Sequence, residues 1–300
     1  MVFHLGALWR LNELGFLPKL ARVSSVSGGS ITAGALGLKW KQLQFDATTG
    51  VSPVFAQEVV DPVRALANVT LDVGDGLKGL FMPGSIADYI ASSYRKYLFG
   101  TATLQDLPDA PLFVINATNV QTGSLWRFAK PYMADWQVGL IKNPTVDLAV
   151  AVGASSAFPP VLSPAHLTLD PNSFEKGSGS GLQQPPFTTN VLLTDGGVYD
   201  NLGLETAWKN CATILVSDGG AHVMRAHPDI HRPPIHSQSH DDGEKSKAKG
   251  ASRLKARRTE ARGWIGQVDL FKRQATGRQH ATGVGAVDRL PDGSWAVDFG

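Results

Sequence analysis

Apolar residues along the chain gather in short runs separated by glycine, proline and polar clusters, and the runs alternate between helical and extended character. Phe3 to Leu14 is rich in helix formers and apolar on more than one side, with Gly15 and Pro18 to end it, which predicts a buried helix. Leu20 to Val26 reads as a short strand. Gly28 and Gly29 permit a tight turn, and Ser30 to Leu43 predicts a helix whose small members, Ala33, Gly34, Ala35 and Gly37, allow close packing on a sheet. Further on, Pro111 to Val120 predicts a strand, Thr145 to Phe158 a helix ended by prolines, and Asn190 to Gly197 a strand running into a turn. Leu202 to Asn210 predicts another helix and Ala212 to Gly220 a further buried strand. This alternation implies an α/β fold with a mostly parallel sheet, and there is no internal repeat.

Some stretches break the pattern. Ser173 to Pro186 contains EKGSGSGLQQPP, a flexible-linker composition that predicts a mobile loop near the end of the following strand. From His222 onward the chain becomes rich in histidine and proline, and Glu244 to Arg258 carries seven lysines and arginines with few apolar residues. Such a segment buries too little surface to fold alone and reads as a solvated, disordered insert. The final RLPDGSWAVDFG has the form of a small hairpin around an Asp-Gly turn. The long uncharged stretch from Leu148 to Leu169, His166 apart, is broken by Ser155, Ser156, Pro159 and Pro160, so it is not read as a membrane span.

Composition narrows the function classes. The 300 residues are 43% hydrophobic and 18% charged, enough to bury one large core with an appendage, and the net charge of +2 does not call for a nucleic-acid partner. A single cysteine, Cys211, excludes an intramolecular disulfide and a cysteine-rich metal site; it reads as a buried small apolar residue in a reducing, cytoplasmic setting. MVFHLGALWR has no basic leader followed by an apolar stretch, so no secretory signal is read. Five histidines between His222 and His240 have irregular spacing and no accompanying Cys or acidic ligand pattern, so no specific zinc site is expected.

The stretch VSSVSGGSITAG places Ser27 between a strand and a helix. A serine hydroxyl attacks an ester only when it is exposed, has a base within reach and finds donors for the oxyanion. A sharp strand-to-helix turn supplies exposure and helix N-terminal amides together, the nucleophile-elbow geometry. The usual G-x-S-x-G becomes Ser25-Val26-Ser27-Gly28-Gly29 here, with a serine at the first glycine position. Taken alone, the motif equally describes a structural or phosphate-binding turn. Asp195 ends the apolar strand NVLLTD before Gly196 and Gly197, which sets its carboxylate at the sheet edge as a candidate base or a turn former.

Across FHLGALWRLNELG, SSVSGGSITAG, INATNVQTGSLWRF, AVGASSAFPPVLSP and TDGGVYDNLG, within residues 1–220, the chain resembles the patatin-like phospholipases. The resemblance implies a three-layer α/β/α sandwich and a serine esterase that cleaves lipid acyl esters through an acyl-serine intermediate. It implies a catalytic dyad with Ser27 as nucleophile and Asp195 as base, and makes the Gly28 amide an oxyanion donor. Ser25, Gly29, Gly196 and Gly197 support the motifs; no cofactor or metal is implied. The partner expected is a lipid or other acyl ester, met at a membrane surface by a peripheral protein. The family's first strand and following glycine-rich loop have no counterpart before Phe3. The chain as written is therefore expected to be weakly active or inactive, and an extension restoring both is expected to rescue it. The expected organisation is an acyl hydrolase domain over 1–220, a basic segment over 221–262 and a C-terminal segment over 263–300.

Three rivals stand beside this reading. The order Ser27, Asp195, His222 matches an α/β-hydrolase triad, although only 26 residues precede Ser27. A non-catalytic lipid-binding scaffold would keep the fold without turnover, and a nucleic-acid binder would use Lys245 to Arg258. Asn116 and Asn119 read as turn formers or site-lining residues, Asp218 as a structural carboxylate, and Trp126 and Phe128 as core.

Overall fold

The computed structural model describes residues 1–69, 86–219, 267–272, 286–289 and 295–298. The chain divides into a unit formed by Met1–Gly219 with Gly266–Gly300 and a unit formed by Gly220–Ile265. The second unit lies outside the described residues, and with it His222, the other histidines of that stretch and Lys245 to Arg258.

Helix α1 (Val2–Glu13) leads into strand β1 (Arg22–Val26), and α2 (Gly28–Lys39) follows after one intervening residue, Ser27. Helices α3 (Asp61–Asn68) and α4 (Ile86–Tyr94) precede β2 (Leu112–Asn119), β3 (Ser124–Ala129), β4 (Tyr132–Asp135) and β5 (Gly139–Lys142). Then come α5 (Leu148–Ser155), β6 (Ala165–Thr168), β7 (Asn190–Asp195), α6 (Gly197–Asp200), α7 (Leu204–Trp208) and β8 (Thr213–Asp218), with β9 (Gln267–Lys272), β10 (Ala286–Arg289) and β11 (Trp295–Asp298) beyond.

Seven strands form the main sheet in the order β5-β4-β3-β2-β7-β6, with β1 also paired to β2. Only β1 and β2 run parallel; every other pair in the sheet is antiparallel, which corrects the expectation of a mostly parallel sheet. The reason lies in the connections. Strands β2 to β5 follow one another through short turns, and a short turn can join only antiparallel neighbours. The α/β class itself holds, because helices cover both faces of the sheet. Phe113 on one face of β2 packs where α2 has only Gly37, while Asn116 and Thr118 on the other face meet the segment carrying α6 and α7.

Helix α2 is buried from Ser30 to Gly37, and its small residues explain how. A Cβ added at Gly37 would stand 2.8 Å from Leu107 and 3.2 Å from Phe113. By contrast α1 buries only Leu5 and Asn12 and leaves Trp9 exposed, so it is not the fully buried helix its composition suggests. Asn12 is buried because its amide pairs with the backbone of Ser52 in both directions.

Two other expectations change. The glycine- and serine-rich segment after Ser173 is not a free loop: Ser180 and Leu182 donate amides to Trp136 and Gln137, and Ser178 Oγ accepts from Leu140. It covers the end of β5, where an open edge would otherwise stand. Strand β8 lies outside the main sheet and pairs antiparallel with β9, alternating buried Ile214 and Val216 with more exposed neighbours. Strands β10 and β11 form the expected C-terminal hairpin. Among the described residues no helix is long and apolar enough to cross a membrane.

Trp126 and Phe128 are fully buried and meet edge to face, as core residues should. Phe128→Ala is expected to destabilise the fold by about 3–5 kcal/mol. Denaturant unfolding checks this through a lowered midpoint at unchanged slope; a loss below about 1 kcal/mol would contradict the packing described.

Candidate functional site

The site grows out of the register on β2. Val26, the last residue of β1, pairs with Asn116, while Asp195, the last residue of β7, pairs with the next residue, Ala117. Strand β3 occupies the other edge of β2 over the same stretch. Strands β1 and β7 therefore run toward each other along one edge of β2, and their carboxyl ends meet. Each chain must turn out of the sheet at that point, which brings Ser27 and Asp195 together.

Ser27 adopts φ 53° and ψ −129°, a conformation that costs a non-glycine residue about 1–3 kcal/mol. Its amide donates to the Ser155 carbonyl at 3.2 Å and reaches Ser155 Oγ at 3.2 Å, and its carbonyl accepts from the Ser30 amide at 2.9 Å. Helix α2 begins at the next residue, so the Gly28 and Gly29 amides have no intrahelical acceptor. Gly28 has no room for a side chain: a Cβ there would lie 2.6 Å from the Met1 nitrogen. The N-terminal ends of α1 and α2 thus converge beside Ser27, a setting that favours negative charge. A Cβ added at Gly29 would stand 3.6 Å from the His4 ring, in ordinary contact.

Asp195 is 3% exposed. Its amide donates to the Ala157 carbonyl at 2.9 Å, and Oδ1 accepts the Gly197 amide at 2.8 Å. Oδ2 is buried with no hydrogen-bond partner of ordinary geometry. Burial pushes the carboxyl pKa up, and the neighbouring Ser27 hydroxyl and the Gly197 amide pull against that rise. No formed hydrogen bond joins the Ser27 hydroxyl to Asp195 Oδ2. Gly196 must be glycine, because a Cβ there would fall 2.3 Å from the Asn116 carbonyl oxygen. The same Cβ would also stand 3.0 Å from the side chain of Val26, the residue before Ser27.

Ser25 sits inside β1, paired with Ile115, at ordinary strand geometry, so a serine needs no glycine-like freedom there. Its hydroxyl is buried and accepts from Ser30 Oγ at 3.0 Å. Asn116 is neither a turn former nor an open wall of the site. Its Nδ2 donates to Ser24 Oγ and to the Ser25 carbonyl, both at 2.9 Å, and so ties β2 to β1. Asn119 does form a turn, accepting from the Gln121 amide, and it also donates to the buried carboxylate of Asp135.

Three residues near the turns carried no role in the sequence reading. Ser155 lies in the quoted AVGASSAFPP stretch, yet only the fold reveals that it touches Ser27. Tyr94 comes from a region without any motif; its hydroxyl is 3.3 Å from Ser156 Oγ, and burial, with Asp195 nearby, raises its pKa. His4 Nδ1 pairs with Ser217 Oγ at 3.0 Å, and burial foremost pushes its pKa down to about 4, leaving the ring neutral at neutral pH. Phe158 is 65% and Val198 57% exposed, one residue beyond Ala157 and three beyond Asp195 in the chain. Among the described residues no cluster of three or more His, Cys, Asp or Glu could hold a metal ion.

The profile of the patatin-like phospholipase family matches residues 1–208, which include both turns and every residue of the site described above except Ser217. Comparison with curated proteins returns no match. A profile that spans this much of the chain, together with a serine turn and an aspartate turn meeting on one strand edge, gives the conclusion that the protein belongs to the patatin-like phospholipase family, a family of lipid acyl hydrolases.

Proposed function

We propose that the protein cleaves acyl esters of lipids, as a phospholipase A-type esterase, through a Ser27–Asp195 dyad at a nucleophile elbow. The observation that carries the reading is the meeting of β1 and β7, which sets a strained serine against a buried, partnerless carboxylate oxygen. Ser27 Oγ attacks the ester carbonyl carbon while its proton passes to Asp195 Oδ2. The carbonyl oxygen becomes an oxyanion and accepts the Gly28 amide at the head of α2. Collapse breaks the bond to the alcohol, which leaves with the proton held by Asp195. Water then gives a proton to Asp195 as it attacks the acyl-serine, and collapse breaks the bond to Ser27 Oγ, which takes that proton back as the fatty acid departs. The exposed Phe158 and Val198 support an apolar substrate and a peripheral approach to a membrane surface.

Labelling with a fluorophosphonate probe, followed by peptide mass spectrometry, tests the nucleophile. The expected result is modification of Ser27, lost in Ser27→Ala and strongly slowed in Asp195→Asn, with ester turnover falling at least about a thousandfold in both. A folded wild-type chain that takes no label would instead favour a lipid-binding scaffold without chemistry.

The pH dependence follows from the raised pKa of Asp195. The base must be ionised, so kcat/KM rises with pH through an acid limb that lies above the usual carboxylate range. Stability runs the other way. A folded pKa above the unfolded one gives a contribution that is full below the unfolded pKa and lost as pH rises through the folded one. Rate profiles on a short ester and unfolding across the acid range check both limbs. An acid limb at the ordinary carboxylate value, or an unchanged stability profile in Asp195→Asn, would contradict the assignment.

A further inference from the structure

We propose that Ser155, the last residue of α5, is a positioning residue that locks the serine turn and the aspartate turn into one unit; this rests on the dyad reading above. Its carbonyl accepts two amides, Ser27 from one turn and Gly196 from the other, each at 3.2 Å. Its hydroxyl donates to the Asn116 carbonyl at 2.6 Å, the residue of β2 against which β1 ends. The same hydroxyl stands 3.2 Å from the Ser27 amide and 2.8 Å from Ser30 Oγ in the first turn of α2. Ser155 is 0% exposed, so water cannot replace these bonds.

Each part of this arrangement has a consequence. The strained backbone of Ser27 persists only if its surroundings over-determine it, and the Ser155 contacts to its amide do so. Because that amide is engaged, it is not free for an oxyanion, which leaves the Gly28 amide to that task. The shared carbonyl fixes the spacing of the two turns, and the bond to Asn116 fixes the carbonyl. Two residues further on, the Ala157 carbonyl accepts the Asp195 amide and Thr194 Oγ1, so the end of α5 grips the aspartate turn twice. Displacement of a reacting group by about 1 Å can cost about a hundredfold in rate, which sets the scale of what this contact protects.

The test compares the wild-type chain with Ser155→Ala, Ser155→Cys and Ser52→Ala. Ser52 is a control: its buried hydroxyl bonds the Leu43 carbonyl and touches neither turn. In Ser155→Ala the rate of fluorophosphonate labelling at Ser27, and kcat on a short ester, are expected to fall about tenfold to a hundredfold with KM within about twofold. Ser155→Cys, which keeps a small group and a weak donor, is expected to recover part of the loss and carries the comparison if the alanine variant does not fold. Ser52→Ala is expected to lose stability without slowing labelling. Amide hydrogen exchange gives a readout independent of turnover: the Ser27 and Gly196 amides should both exchange faster in Ser155→Ala. Labelling of a folded Ser155→Ala at the wild-type rate, an equal slowing in Ser52→Ala, or faster exchange at only one turn would overturn the inference. A wild-type chain that takes no label would defeat the dyad reading instead, and the exchange data would still judge the coupling.

Discussion

The site depends on a single topological constraint: β1 and β7 approach each other head-on along the same edge of β2, one parallel to it and one antiparallel. Neither strand can continue past the Asn116–Ala117 step, so both must leave the sheet there. A run of backbone pairing that ends abruptly leaves polar groups in need of partners. Here the end of α5 supplies them, through the carbonyls of Ser155 and Ala157. Had β7 run parallel to β2 on that edge, its carboxyl end would point away from β1 and Asp195 would lie remote from Ser27. The antiparallel sheet is thus a condition for the proposed chemistry as well as a feature of the fold.

Around this junction the interior is polar where most cores are apolar. Ser24, Ser25, Ser30, Ser155 and Asn116 form a linked set of hydrogen bonds beneath the serine turn. Small hydroxyl side chains suit this place because they satisfy backbone groups without the volume that would separate the strands from α2 and α5. Buried polar networks are stiff when satisfied and costly when broken. Two oxygens at this junction lack a donor, Asn116 Oδ1 within that set and Asp195 Oδ2 beside it. A buried carboxylate oxygen left without a donor is poised to take a proton, and burial raises its affinity for one.

Much of the site could be read in the sequence, and less of the sheet. Ser27, Gly28 and Gly29 stood out because a strand, a glycine pair and a helix of small residues occur in immediate succession. The pattern of Asp195, an apolar strand cut off by two glycines, fits a base or a turn former and is echoed by Asp218, so only the family resemblance singled Asp195 out. The sheet direction was hidden because β2 is buried on both faces almost throughout, so Leu112 to Ile115 are all apolar, as in a parallel strand, and the buried Asn116, Thr118 and Asn119 do not mark a solvent face. Strands β4 and β5 have four residues each, too few to show a period. The partner of β8 lies beyond the intervening unit, at β9, where no local signal could point to it. Ser155 was legible as part of a motif but not as a contact of Ser27, because a helix end and a strand end separated by more than a hundred residues meet only through the fold.

The most direct test of the account is a crystal structure of the chain after reaction with a fluorophosphonate. It predicts a covalent bond from phosphorus to Ser27 Oγ, a phosphonyl oxygen accepting the Gly28 amide, and the Ser27 amide still held by Ser155. Attachment at another residue, or a phosphonyl oxygen turned away from the head of α2 with Asp195 out of reach of Ser27, would contradict it.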